Sequence, residues 1–309
     1  MNHMIIRNKC PLCNSDKRIF YEVYKRWPNL PIYKCRDCKF VYSEKVPSKD
    51  EIFIAQGEFN FVKDGIENKT IDSLNSSLLL SLLHKKLRYL QIIKKIKRIL
   101  CKLNKTTQRV LDVGCSVGGF LDLIKKEFNV ETYGVDIFPK ICEFNKLRGH
   151  KILCGFLEEL KFDGIKFDII TFLEVLEHLP DPTAAVKTAY NLLNNKGLLV
   201  IEVPNLIYST FKGKIEKNFI FKKLTKMEEW GLMPHIHYNH FSPEVLKSLL
   251  IKHGFKCIEI IPALYNESVE GCPRIIKIVY EKYTILCQYI HHITGMILSP
   301  NFILFATKL

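Results

Sequence analysis

From Arg109 onward the chain alternates short apolar runs with amphipathic runs of helical length, and this alternation constrains the fold more than any other feature. RVLDVG reads as a strand and FLDLIKKEF as the helix after it. TYGVDI, KILCG, FDIITFL and GLLVIEV read as further strands, punctuated by the helical patterns FPKICEFNKLRG and DPTAAVKTAYNLL. SPEVLKSLLIKHG reads as a late helix with Ser242 as its N-cap, and KCIEIIP and FILFAT as the closing strands. Strands alternating with helices of about 10–15 residues build a mostly parallel sheet covered on both faces. The expected class is therefore α/β with a doubly wound sheet.

Upstream the pattern changes. Cys10-x-x-Cys13 and Cys35-x-x-Cys38 are separated by residues 14–34, between and around which RIFYEVYK and KFVYSE look strand-like. Each pair can wrap one side of a tetrahedral ion, and two pairs complete a four-thiolate shell, the usual spacing of a zinc site. No position is left for water, so the zinc expected at Cys10, Cys13, Cys35 and Cys38 is structural; a thiol-redox pair is the rival reading. The remaining cysteines, Cys101, Cys115, Cys142, Cys154, Cys257, Cys272 and Cys287, are dispersed and read as reduced thiols. Between Asp72 and Leu103 a long helix is expected, with Leu79, Leu83, Leu87, Leu90 and Ile93 as its apolar stripe. Lys85, Arg88, Lys95 and Lys102 then read as a solvated basic face. The chain divides into a zinc module over 1–45, a linker and helical region over 46–104, and a larger domain over 105–309 with an irregular insertion at about 206–240.

VLDVGCSVGGF places a glycine turn directly after the first strand of the larger domain, and Asp136 follows at the end of the next strand. Such a turn lets backbone approach a nucleoside-bearing ligand, and a carboxylate about 20 residues on can accept both ribose hydroxyl hydrogens. The glycine spacing decides which ligand. A dinucleotide fingerprint has a glycine in the middle of the turn, where this chain has Ser116, and Asp112 would repel a pyrophosphate. An acidic, phosphate-free cradle suits a cationic cofactor, S-adenosylmethionine (SAM), better than NAD.

LDVGCSVGGFL, YGVD, FDIITFLEVLEHLPDP and GLLVIEVPN together resemble class I SAM-dependent methyltransferases over roughly residues 105–309. More narrowly, the chain is similar to bacterial enzymes that join a zinc-binding module to such a domain and act on sugars or other small metabolites. The resemblance implies a seven-stranded Rossmann-like methyltransferase sheet. It implies that Asp112, Gly114, Cys115 and Gly118 line the methionine half of the cofactor and Asp136 with Ile137 the ribose and adenine. It further implies that Phe156 and Leu157 flank the adenine and that Leu173 and Glu174 close over the cofactor. Ser116 departs from the glycine usual in the family.

A hydroxyl acceptor also needs a base. His178 stands just past the fourth strand, near the sheet edge where ligands bind. His237 and His240, with His235, fall in the insertion, where they read as substrate pocket, metal ligands or packing. The candidate catalytic residues are therefore His178, His237 and His240. The net charge of +14 favours an anionic partner or a solvated surface. The expected acceptor is a small molecule, such as a nucleotide- or lipid-linked sugar. The alternatives are an RNA methyltransferase that docks through the zinc module, or a non-catalytic interaction protein. No apolar run reaches the roughly 18 residues of a membrane span, and the N-terminus lacks a secretory pattern, so the cytoplasm is expected. The amphipathic stretch from about Ile275 to Leu298 reads as a helix on the sheet or as an interfacial helix giving peripheral membrane contact.

Overall fold

The computed structural model describes residues 4–24, 30–49, 51–52, 70–216, 232, 236–264 and 274–309. His235, Cys272 and most of the expected insertion lie outside them. Two larger sheets and one two-stranded sheet organise the described residues. The largest has seven strands in the order β12 (Phe255–Pro262), β13 (Asn301–Lys308), β10 (Leu193–Pro204), β9 (Phe167–Leu173), β6 (Arg109–Val113), β7 (Glu131–Asp136) and β8 (Lys151–Cys154). The five from β10 to β8 run parallel, whereas β13 inserts antiparallel between β10 and β12. This is the expected methyltransferase-type sheet. Because β6 pairs with β7 on one side and β9 on the other, successive crossovers diverge at β6 and open a crevice at the strand ends.

Alternate residues feed opposite faces, as the period of two requires. Leu111, Ile170 and Ile201 join one core, and Val110, Ile169 and Val200 the other. The second core is closed by α1 (Ile71–Lys102) through Ile92, Ile93, Ile96 and Ile99. The expected leucine stripe is corrected here. Leu79 and Leu87 are exposed and Arg88 is buried, because the helix turns the Tyr89–Ile92–Ile96 edge to the sheet. The other helices are α2 (Gly119–Phe128), α3 (Pro139–Leu147), α4 (Pro182–Leu192), α5 (Leu206–Glu216), α6 (Pro243–Lys252) and α7 (Arg274–Thr294). The insertion, expected to be irregular, thus begins as helix α5 and ends as a strand, β11 (Asn239–His240).

The cysteine-bearing segment supplies β1 (Met4–Ile6), β2 (Arg18–Tyr24), β3 (Leu30–Cys35), β4 (Val41–Ser43) and β5 (Lys45–Pro47). Its antiparallel sheet runs β2-β3-β4 and takes β11 as a fourth strand. Cys10, Leu12, Cys35, Phe40 and Tyr42 pack into the same buried cluster as Leu111 and Phe172 of the large sheet and Leu246 of α6. Buried Arg7 donates to the carbonyls of Tyr238, Leu179 and Pro180 and to Asn239 Oδ1. Thr183 reaches the Pro11 carbonyl at 2.9 Å and Lys252 the Leu12 carbonyl at 3.0 Å. The segment is therefore fastened to the large sheet's loops at several points.

Candidate functional site

The crevice is built on the turn after β6. Gly114 and Gly118 have φ of 71° and 73°, left-handed values that side chains resist. A Cβ on Gly114 would come within 2.4 Å of Val175 Cγ2, so this glycine keeps the space between β6 and the β9 exit open. Ser116 is also left-handed, at φ 47°, and its N–H donates to Asp136 Oδ2 at 2.9 Å. The departure from glycine is thus held by a hydrogen bond. The Phe138 N–H donates to Asp136 Oδ1 at 3.1 Å. Each carboxylate oxygen retains a second lone pair, so two acceptor positions remain for a diol. Burial raises the Asp136 carboxyl above its ordinary range.

Asp112 faces Thr171 across the parallel register, and the Thr171 hydroxyl donates to Oδ1 at 2.5 Å. Burial pushes this carboxyl up to about 7, against the opposing effect of that bond. A buried acid of this kind favours a cation in contact with it. Cys115 sits in the turn, but its thiol is buried with Leu121, Cys142 and Ile152, so only its backbone borders the crevice. Ile137 packs beside Val117 and Ile141, Leu157 lies in the main core, and Leu173 packs against the cluster under α1. Phe156 is buried beneath Lys49, whose Nζ is 5.0 Å from the ring centroid.

Glu174 has φ 60° and belongs to a buried charge cluster that the sequence did not announce. Lys85 and both terminal nitrogens of Arg88 donate to it at 2.8–3.1 Å, and Asn301 adds a bond at 2.9 Å. Arg88 also pairs with Glu202 at 2.9 Å, a residue with no exposed surface. Burial alone would raise Glu174, but the two cations hold it well below the usual carboxylate range. The expected basic face of α1 is corrected by this pairing. Without Arg88, the fully buried Glu202 would lose its ion-pair partner in the interior.

The β9 exit continues through a 3-10 turn, Leu176–His178. Asn239 Nδ2 donates to the carbonyls of Leu176 at 3.0 Å and Leu179 at 2.7 Å, and the Tyr238 N–H donates to the Glu177 carbonyl. These bonds bring His237 against His178, with ring centroids 4.8 Å apart. Burial lowers the His178 pKa, opposed by its 2.7 Å bond to the Ile236 carbonyl. Glu177 is buried beside the pair, and burial raises its carboxyl well above the usual range.

His240 takes another course. It is strand residue in β11, buried, and burial together with Arg7 lowers it to about 3. It lines a small cavity with His237, Pro204, Ser209 and Leu232, but its ring is neutral across the physiological range. An unfolded histidine titrates near 6.5, so between that value and the folded one the unfolded chain binds the extra proton. His240 therefore stabilises the fold above about pH 6.5, and this contribution is lost as pH falls toward 3. Denaturation of the wild type and of His240→Leu over pH 7 to 4.5 should show the difference in stability shifting against the wild type, by a slope that approaches about 1.4 kcal/mol per pH unit once the pH is well below 6.5. Parallel pH profiles for the two proteins would show that His240 does not carry this linkage.

The four cysteines form a second constellation. Their sulfurs all lie within 4.8 Å of one another, with Cys10–Cys38 at 3.4 Å and Cys13–Cys35 at 3.5 Å. Zn–S bonds of about 2.3 Å in a tetrahedron place sulfurs roughly 3.8 Å apart, so the donor set fits zinc. The residue after each second cysteine, Asn14 or Lys39, is left-handed, and its N–H returns to the first cysteine's carbonyl at 2.8 or 3.1 Å. The two turns thus repeat one geometry. Zinc here would tie the turns together and take no part in chemistry.

A family model described as a methyltransferase domain matches residues 83–260. The ubiquinone biosynthesis O-methyltransferase of Xanthomonas axonopodis pv. citri is 25% identical over 183 residues, covering 56% of this chain and 72% of that protein. The tRNA U34 carboxymethyltransferase of Aliarcobacter butzleri is 28% identical over 167 residues, covering 52% of this chain and 51% of its own length. Among solved structures, the plantazolicin methyltransferase BpumL, in complex with a triazolic desmethylPZN analog and SAH, superposes with a TM-score of 0.53. It is 14% identical, covering 84% of this chain and 96% of that one, a likeness of fold. No helix among the described residues is long and apolar enough to cross a membrane.

Proposed function

Since the chain belongs to the methyltransferase-domain family and is a SAM-dependent methyltransferase, we propose that it methylates a small, phosphate-bearing acceptor such as a nucleotide- or lipid-linked sugar. The observation that carries this reading is the groove between the cysteine segment and α5. It is lined by Tyr21, Lys34, Lys39, Ile207, Phe211 and Glu244, which offer two cations, one carboxylate and two aromatic faces to a ligand of limited size. Lys34 and Lys39 would hold a phosphate and the rings a sugar or base. In the same reading the zinc module is residues 1–45, joined by 46–104 to a catalytic domain over 105–309, and the module forms a wall of the acceptor site.

The residues around the glycine turn fit SAM. Gly114 leaves the space a Cβ would fill, Asp112 offers a buried acid toward an ammonium, and Asp136 offers two acceptors to a ribose. When bound, SAM supplies an electrophilic methyl group on a sulfonium. The chain's contribution is to hold the acceptor in line with it at about 3 Å and to exclude water. Lys85, partly exposed and paired with Glu174, would be the cation to meet an α-carboxylate. His178 and His237 border the acceptor side, and His240 supports that wall from the cavity behind it.

Methyl-labelled SAM offered with sugar nucleotides and with tRNA tests the acceptor. The expected label enters the sugar fraction, with turnover changing less than about two-fold between 50 and 200 mM salt. Label in RNA, with affinity falling by about 10³ or more over that range, would overturn this reading in favour of an RNA substrate.

A further inference from the structure

We propose that Glu177, His178 and His237 form a binding site for a first-row divalent cation at the acceptor side of the crevice. Their ligand atoms all lie within 4.8 Å of one another. The strongest pointer is Glu177. It is 1% exposed, and neither carboxylate oxygen has a hydrogen-bond partner among the described residues. His178 Nε2 is 3.9 Å from Oε1, too long for a hydrogen bond. A buried carboxylate without partners needs an explanation, and an ion between it and the imidazoles supplies one.

The surroundings are arranged for the same purpose. His178 Nδ1 is engaged by the Ile236 carbonyl at 2.7 Å, which fixes the ring and turns Nε2 toward Glu177. That carbonyl anchor is the usual support of a metal-bound histidine. His237 meets His178 edge to face, and the bonds from Asn239 and Tyr238 hold its segment against the 3-10 turn. Metal–ligand bonds of about 2.1 Å need donors roughly 3 to 4 Å apart, which small side-chain movements provide. Two imidazoles and one carboxylate leave coordination positions open and suit Mn, Fe, Co, Ni or Zn rather than Mg.

This inference rests on the methyltransferase reading, because the site lies two residues beyond Val175, which walls the glycine turn. An acceptor hydroxyl bound to the cation would lose its proton to solvent more readily. Its oxygen then attacks the methyl carbon: the C–O bond forms, the C–S bond breaks, and the electron pair passes to sulfur. The two histidines serve as ligands in this scheme rather than as bases.

Titration of the zinc-replete full chain with Mn(II), followed by the paramagnetic resonance of free Mn(II), tests the site, because the four thiolates favour softer ions. One Mn(II) per chain is expected to bind and to raise the melting temperature. Glu177→Gln and His237→Ala should each weaken it at least ten-fold, with Glu177→Gln alone no less stable than the wild type without Mn(II). No stoichiometric binding, or equal affinity in all three proteins, would overturn the proposal. SAH binding measured on the same samples separates the two readings. Intact SAH binding without Mn(II) binding removes the cation site alone, whereas its absence from the wild type removes the cofactor reading as well.

Discussion

Withholding zinc from the four-cysteine segment, or replacing Cys35 with serine, is expected to lower the melting temperature of the whole chain as a single transition rather than release an N-terminal module. Cys35 and Phe40 have no exposed surface, and both pack in the cluster that contains Leu111 and Phe172 of the large sheet and Leu246 of α6. Strand β11 completes the small sheet while its own Asn239 and the preceding Tyr238 bind the β9 exit. A structural zinc contributes about 10–16 kcal/mol in small peptides, comparable with the roughly 5–15 kcal/mol that separates a folded domain from its unfolded state. Even a third of that contribution, at about 2–4 °C per kcal/mol, lowers the melting temperature by roughly 10 °C or more. Elemental analysis should find one zinc per chain, and melts followed by backbone and aromatic signals should coincide before and after its removal. A two-step melt whose second step is unmoved by chelation would show that the segment is an independent module.

The regular parts of this architecture are legible because they depend on local pattern. The seven strands of the large sheet, the glycine turn and the paired cysteines follow from alternation and spacing within a few residues. The remainder depends on partners far away in sequence. Arg88 reads as solvent-facing because Glu174 stands 86 residues downstream and Glu202 further still, and neither can be anticipated from the helix. Leu79 and Leu87 read as core because spacing alone does not say which edge of α1 meets the sheet. Strand β11 is two residues long, and pairing with β4 defines it. Cys115 lies in the glycine turn, yet the turn sends its thiol into the core. His178 and His237 are recognisable as candidates by residue type, but Glu177 becomes notable only when its burial is seen beside them.

The central claim is the cofactor site, and calorimetric titration with SAH and with NAD tests it most directly, using the wild type and Asp136→Ala in zinc-replete form. Asp136 holds the Ser116 and Phe138 amides, and in the proposed site its remaining lone pairs would accept from the ribose, so truncation would remove charge-assisted bonds in a buried setting. Losses of about 2–4 kcal/mol for such bonds correspond to roughly 30- to 1000-fold in affinity. The melting temperature of each protein, taken alongside, separates lost binding from lost folding. The account predicts SAH binding in the micromolar range by the wild type, no binding of NAD, and at least a 30-fold loss in folded Asp136→Ala. Folded, zinc-replete wild type that ignores SAH, or that takes up NAD in its place, would contradict it.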